Sequence, residues 1–156
     1  MYRIEDNIYA KETGTYGMSL FAKKDFKKDE LIFVAFGPIV KEATLYTIPI
    51  SEYLKIDPIK PEGNLSQFIC HSCDPNLGIK NRTSFVAFKD IKKDEEVLID
   101  YAMIGYEYGD EVSGIGRDCK CGSPECRGTW GSYKELPEDI REKYKGYISD
   151  YLLKMS

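Results

Sequence analysis

The chain has 156 residues, 42% of them hydrophobic and 13% aromatic, which suits one domain with its own core and excludes a disordered chain. A formal charge of −4 and a pI of about 5.2 exclude a grip on bare phosphate backbones as the main activity, so no direct nucleic-acid partner is expected, whereas a basic peptide would be attracted. The longest apolar run, "LIFVAFGPIV", is interrupted by Gly37 and Pro38 and is too short to span a bilayer, so no membrane partner is expected either.

The opening "MYRIEDNIYA" carries acidic residues where a secretory leader would have a basic end and an apolar centre. A cytoplasmic protein is expected, with nuclear or host-directed placement left open. In a reducing compartment the five cysteines, three of them clustered, point to a metal more than to disulfides. The pattern Ala-x-Lys-Asp-apolar-Lys-Lys-Asp-Glu then occurs twice, in "AKKDFKKDEL" (22–31) and "AFKDIKKDEEV" (87–97). Apolar runs bracket each copy, which reads as strand–turn–strand, with Asp29 and Asp94 at positions that favour the left-handed conformation. One turn type used twice explains this as well as a duplication does. Between the copies, residues 41–66 hold one predicted strand, "TLYTIPI", and much loop around Pro49, Pro58, Pro61 and Gly63.

Two stretches carry chemistry. "FICHSCDPNLGI" contains His71, the chain's single histidine, and Cys73. "RDCKCGSPECRG" contains Cys119, Cys121 and Cys126, one thiolate short of the tetrahedral set that zinc prefers. Between the two, "YEYGDE" offers Glu107, Asp110 and Glu111 as an acidic rim for a basic substrate or as a solvated loop. The C-terminal "LPEDIREKYKGYISDYLLKM" places Ile140, Tyr144, Ile148, Tyr151, Leu152 and Met155 on one face at helical spacing, with Pro137 in the first turn. The expected class is mostly β, built from short strands and ending in an α-helix.

Taken together, these motifs resemble the SET-domain protein-lysine methyltransferases with a post-SET zinc motif, in a small single-domain form of microbial or viral type. Gly17-Met18-Ser19-Leu20-Phe21-Ala22 is similar to the family's G-x-G-L-F-A strand, Gln67 to Asn76 to R-F-x-N-H-S-C-x-P-N, and Glu96 to Tyr101 to the last six positions of E-E-L-x-x-D-Y. The resemblance implies a SET fold of small sheets with a knot-like crossing of the "HSC" and "DY" segments, over residues 1–112. It implies a post-SET zinc segment over 113–133, followed by the helix over 134–156. It further implies zinc on Cys73, Cys119, Cys121 and Cys126, with Cys70 left free. Tyr101 is the implied catalytic residue. S-adenosylmethionine would be held by Tyr16, Met18, Ser19, Tyr46, Gln67, Cys70, His71, Tyr101 and Trp130, the last either a lid over the adenine or an anchor for the zinc loop. Ile99 occupies the family's product-specificity position, where the lack of an aromatic hydroxyl implies di- or trimethylation.

The chain departs from the family pattern at Ser19, Gln67, Cys70 and Ala35, the last with Phe36 beside it. The implied activity is methyl transfer to the ε-amine of a lysine in a basic protein or peptide. A catalytically silent SET fold that binds a lysine-rich peptide or simply mediates an interaction is the alternative. A zinc-ribbon nucleic-acid binder fits less well with the acidic balance.

Overall fold

The computed structural model describes residues 3–106 and 118–155, and these are mostly β. Ten short strands follow in chain order: β1 (Ile8–Glu12), β2 (Met18–Ala22), β3 (Leu31–Val34), β4 (Ile39–Val40), β5 (Ile48–Pro49), β6 (Lys55–Ile56), β7 (Cys70–His71), β8 (Leu77–Lys80), β9 (Ser84–Ala87) and β10 (Glu96–Ile99). They form three small sheets, ordered β1-β2-β10-β7, β3-β9-β8 and β4-β6-β5. The first two sheets share a core of Leu20, Phe33, Ile79, Phe85 and Val97, all fully buried, with the Phe33 and Phe85 rings stacked 4.7 Å apart. No helix among the described residues is long and apolar enough to cross a membrane.

The repeated turns pack on each other about a local pseudo-two-fold. Phe26 and Ile91 exchange both backbone hydrogen bonds at 2.8 Å. Lys28 N–H donates to the Asp90 carboxylate at 2.9 Å, and Lys93 N–H donates reciprocally to Asp25 at 2.8 Å. Asp29 and Asp94 adopt φ of 76° and 69°, the left-handed conformation that the sequence pattern calls for. The repeat is therefore one structural unit: each copy supplies the other's turn with its acceptors.

Two predicted elements are shorter than their patterns. In "TLYTIPI" only Ile48–Pro49 is strand. Thr44 and Thr47 bind backbone groups with their own hydroxyls instead: Thr44 N–H donates to Thr47 Oγ1 at 2.9 Å and Tyr46 N–H to Thr44 Oγ1 at 3.1 Å. The helix expected over 134–156 is also reduced, to α1 (Glu138–Lys143) with short 3-10 turns on either side. Gly146 at φ +87° ends the helical path. Beyond it the backbone bonds to the rest of the fold, with Ser149 N–H donating to Met103 O at 2.8 Å and Asp150 N–H to Asn81 O at 2.9 Å. The apolar face survives the change, since Tyr144, Ile148, Tyr151 and Leu152 are all buried.

Candidate active site

The "HSC" and "DY" segments meet because β7 pairs parallel with β10, setting Leu98 opposite Cys70 and Ile99 opposite His71. Asn76 locks the crossing. Its side chain accepts from Leu98 N–H at 2.8 Å and donates to Glu96 O at 2.8 Å and to the Glu95 carboxylate at 2.9 Å. Tyr101, in a 3-10 turn directly after β10, donates its hydroxyl to Ile69 O at 2.8 Å. Burial raises the Tyr101 pKa further above its already high ordinary value, so the group is a neutral hydroxyl.

His71 joins this tyrosine to a cysteine. Tyr101 N–H donates to His71 Nδ1 at 3.1 Å, so Nδ1 is the bare nitrogen, and Nε2 carries its proton toward Cys73 Sγ at 3.3 Å. Burial drives the His71 pKa down to about 4 against the opposing pull of Asp100, with Arg127 adding to the effect of burial. The imidazole is therefore neutral. Asp100, wholly buried, accepts from Arg127 Nη2 at 2.8 and 3.0 Å, from the Tyr144 hydroxyl at 2.8 Å and from Ala102 N–H at 3.0 Å. Gly131 lies against this group, where an added Cβ would come 3.2 Å from Arg127 Nη2 and 3.1 Å from Ala102 Cβ.

Cys73, Cys119, Cys121 and Cys126 come together with their Sγ atoms all within 4.8 Å of one another. Tetrahedral zinc with Zn–S bonds of about 2.3 Å requires S···S separations of about 3.8 Å, and Cys73 Sγ lies 3.8 Å from Cys119 Sγ. Backbone amides turn toward the sulfurs, Arg127 N–H to Cys73 at 3.4 Å and Gly128 N–H to Cys126 at 3.5 Å. Such donors stabilise thiolates, and the set fits a structural zinc ion. Cys70 stands apart, with its thiol directed to the Met18 and Phe68 carbonyls at 3.4 Å.

A cavity of about 390 Å³ opens between the crossing and the cysteine cluster. Tyr16, Tyr46, Gln67, Cys70, His71, Tyr101 and Trp130 all line it, as do Cys119 and Cys121. The Trp130 ring stands edge-on to Tyr101 with centroids 5.5 Å apart, so it walls the cavity beside the catalytic candidate. Met18 and Ser19 do not line it. The Ser19 side chain is fully buried and Met18 offers its carbonyl to Cys70, so this strand supports the cavity from behind. Ile99 is also absent from the wall and is fully buried. The pleat of β10 turns Glu96 and Leu98 to the cavity and Ile99 to the core. Ala35 and Phe36 lie elsewhere, and Glu107, Asp110 and Glu111 fall outside the described residues.

Sequence reasoning missed Leu98 and Glu96 on the cavity wall, the Ile69 carbonyl, and the Arg127–Asp100–Tyr144 cluster. The strand period of two would have flagged Glu96 and Leu98 together once either was placed. Arg127 directly follows the last cysteine of the cluster and was open to inspection.

A model of the SET domain matches residues 17–102, more than half of the chain, and the chain belongs to the SET-domain family. The Schizosaccharomyces pombe histone-lysine N-methyltransferase specific for H3 lysine-9 is 29% identical over 139 residues, covering 77% of this chain and 26% of that protein. The Caenorhabditis elegans histone-lysine N-methyltransferase mes-4 is 30% identical over 163 residues, covering 84% of this chain and 17% of that protein. The chain thus spans about a quarter or less of the length of these two relatives. Among solved structures, KRYPTONITE in complex with mCHH DNA, H3(1-15) peptide and SAH superposes with a TM-score of 0.66 at 22% identity, over 80% of this chain and 29% of that one. That likeness establishes the fold.

Proposed function

We propose that the chain is a zinc-containing, S-adenosylmethionine-dependent protein-lysine methyltransferase acting on a basic protein or peptide. The observation that carries this reading is the shared cavity, whose wall combines Tyr101 and His71 from the crossing with Cys119, Cys121 and Trp130 from the cysteine segment. Closing the zinc site and closing the cavity are one event.

S-adenosylmethionine supplies a sulfonium-bound methyl group open to in-line displacement by an amine. The chain's own residues bind, orient and exclude water. The Tyr101 hydroxyl gives its proton to Ile69 O, and that bond sets the direction in which its oxygen would orient the N–H groups of the incoming amine. Ile69, Leu98, Ile104 and Trp130 present a largely apolar wall that disfavours the ammonium form of lysine, whose ordinary pKa is about 10.4. His71 does not act as a base, since both ring nitrogens are engaged and its pKa lies near 4. Cys70 faces the cavity with its thiol pKa raised by burial, which suits packing rather than nucleophilic attack.

Calorimetric titration of the zinc-loaded protein with S-adenosylmethionine, followed by mass spectrometry of a lysine-rich peptide, tests the reading. Binding and a gain of 14 Da steps support it, these being the mass of about one CH₂ each. Binding of peptide without turnover would support the silent, peptide-binding alternative.

A further inference from the structure

Glu96 is a half-buried carboxylate on the cavity wall, two residues along β10 from Leu98 on the same face. Its side chain accepts a hydrogen bond from the Tyr16 hydroxyl, another cavity residue. Among the described residues no lysine, arginine or histidine pairs with it in an ion pair. Gln67 on the same wall is neutral and gives its amide to Asn64 O at 3.0 Å. The other charged wall residues, Asp118 and Lys120, are exposed at the rim. A carboxylate has about four acceptor positions, so one tyrosine leaves Glu96 with capacity to spare. Among the described residues this partial burial has no counter-charge, and a cationic ligand would relieve its desolvation cost.

We infer that Glu96, held by Tyr16, is the cavity's charge-selective anchor for the cationic methyl donor and makes the cavity prefer the donor over its neutral product. The inference rests on reading the cavity as the S-adenosylmethionine site. The donor carries a sulfonium, an ammonium and a carboxylate, for a net charge of +1. The product has lost the sulfonium and is net neutral. A fixed carboxylate in a partly desolvated wall therefore favours donor over product. The carboxylate is assigned to the donor and not to the target lysine, because a carboxylate beside an amine raises its pKa and would hold the nucleophile protonated. Holding the donor more tightly than the product also favours exchange after each transfer.

The test is calorimetric titration of the zinc-loaded protein and of Glu96→Gln with S-adenosylmethionine and with S-adenosylhomocysteine. Wild type should prefer the donor, and Glu96→Gln should weaken donor binding about tenfold, the scale of one partly screened charge pair, while product binding changes less than twofold. Should Glu96→Gln fail to fold, the wild type supplies a second arm. Raising the salt from about 0.05 to 0.5 M should weaken donor binding more than product binding, because only the donor carries net charge. Equal losses for both ligands on substitution, or a salt response common to both, overturn the inference. Wild type binding neither ligand overturns the reading of the cavity itself, so the two failures are told apart.

Discussion

Arg127→Met tests how the cysteine segment is fastened to the turn that carries Tyr101. The guanidinium, with its side chain 20% exposed, makes two charge-assisted contacts of 2.8 and 3.0 Å to Asp100, whose side chain is 0% exposed. Methionine keeps most of the aliphatic stem and removes only the charge and the donors. Breaking a buried pair from one side costs about 3–5 kcal/mol, because the remaining charge is left uncompensated. Asp100 would still accept from the Tyr144 hydroxyl and Ala102 N–H, so the lower end, about 3 kcal/mol, is expected. For a chain of this size that corresponds to a fall in Tm of about 6–12 °C. The assay is urea unfolding at saturating zinc, with metal content measured so that an empty cysteine cluster is not mistaken for a lost ion pair. The second half of the cycle is Arg127→Met combined with Asp100→Asn, which removes the stranded charge and should recover about 2 kcal/mol. A cost for Arg127→Met under about 1 kcal/mol, or the same cost in the Asn background, would refute the argument.

Three further outcomes follow from the same geometry. Cys121→Ser should lose the metal, measured as zinc per chain falling from one to none, and donor binding should go with it because Cys119, Cys121 and Trp130 share the cavity wall. Gly78→Ala places a Cβ 2.6 Å from Tyr147 Cδ1 and 2.7 Å from its Cβ, under a ring already packed by Phe88 and Lys80, so the urea midpoint should fall by an amount equal to about 1–3 kcal/mol; an unchanged midpoint would show that the ring yields. Wild-type protein should carry a peptide lysine past the monomethyl product in long incubations followed by mass spectrometry. Leu98→Tyr should then restrict it toward monomethyl, and Ile99→Tyr should chiefly destabilise the core it would enlarge.

What could be read in advance depended on whether the deciding interaction was local. Asp29 and Asp94 are fixed by turn sterics within a few residues, and their left-handed φ values follow from the repeated pattern. Cys119, Cys121 and Cys126 were legible because metal chemistry restricts residue type and number, and Cys73 rather than Cys70 as their partner through the resemblance to the family's H-S-C-x-P-N motif. The pattern on β10 was not. Whether Leu98 or Ile99 faces the cavity depends on the phase of its pairing with β7, and a strand inverts its faces with every residue. The C-terminal stripe was legible as a buried face but not as a helix, since the bonds from Ser149 to Met103 and from Asp150 to Asn81 come from segments remote in sequence. The Asp100 cluster is remote in the same way: its partners lie 27 and 44 positions away, and no local pattern announces them.

Tyr101, the proposed catalytic residue, is tied to the cysteine cluster by two routes that meet at its backbone. One runs from Cys73 Sγ to His71 Nε2 and from His71 Nδ1 to Tyr101 N–H. The other runs from Arg127, next to Cys126, to Asp100, next to Tyr101. Both routes end on the turn that aims the Tyr101 hydroxyl at Ile69 O, and Tyr144 joins the second through Asp100, bringing in the C-terminal segment. A neutral His71 is what the first route needs. Protonation would put a donor on Nδ1 against the Tyr101 N–H and a second positive charge beside Arg127, and burial holds the ring below that point down to about pH 4. The cysteine segment therefore contributes more than a wall to the cavity, because it also fixes the orientation of the one hydroxyl on which the proposed chemistry depends.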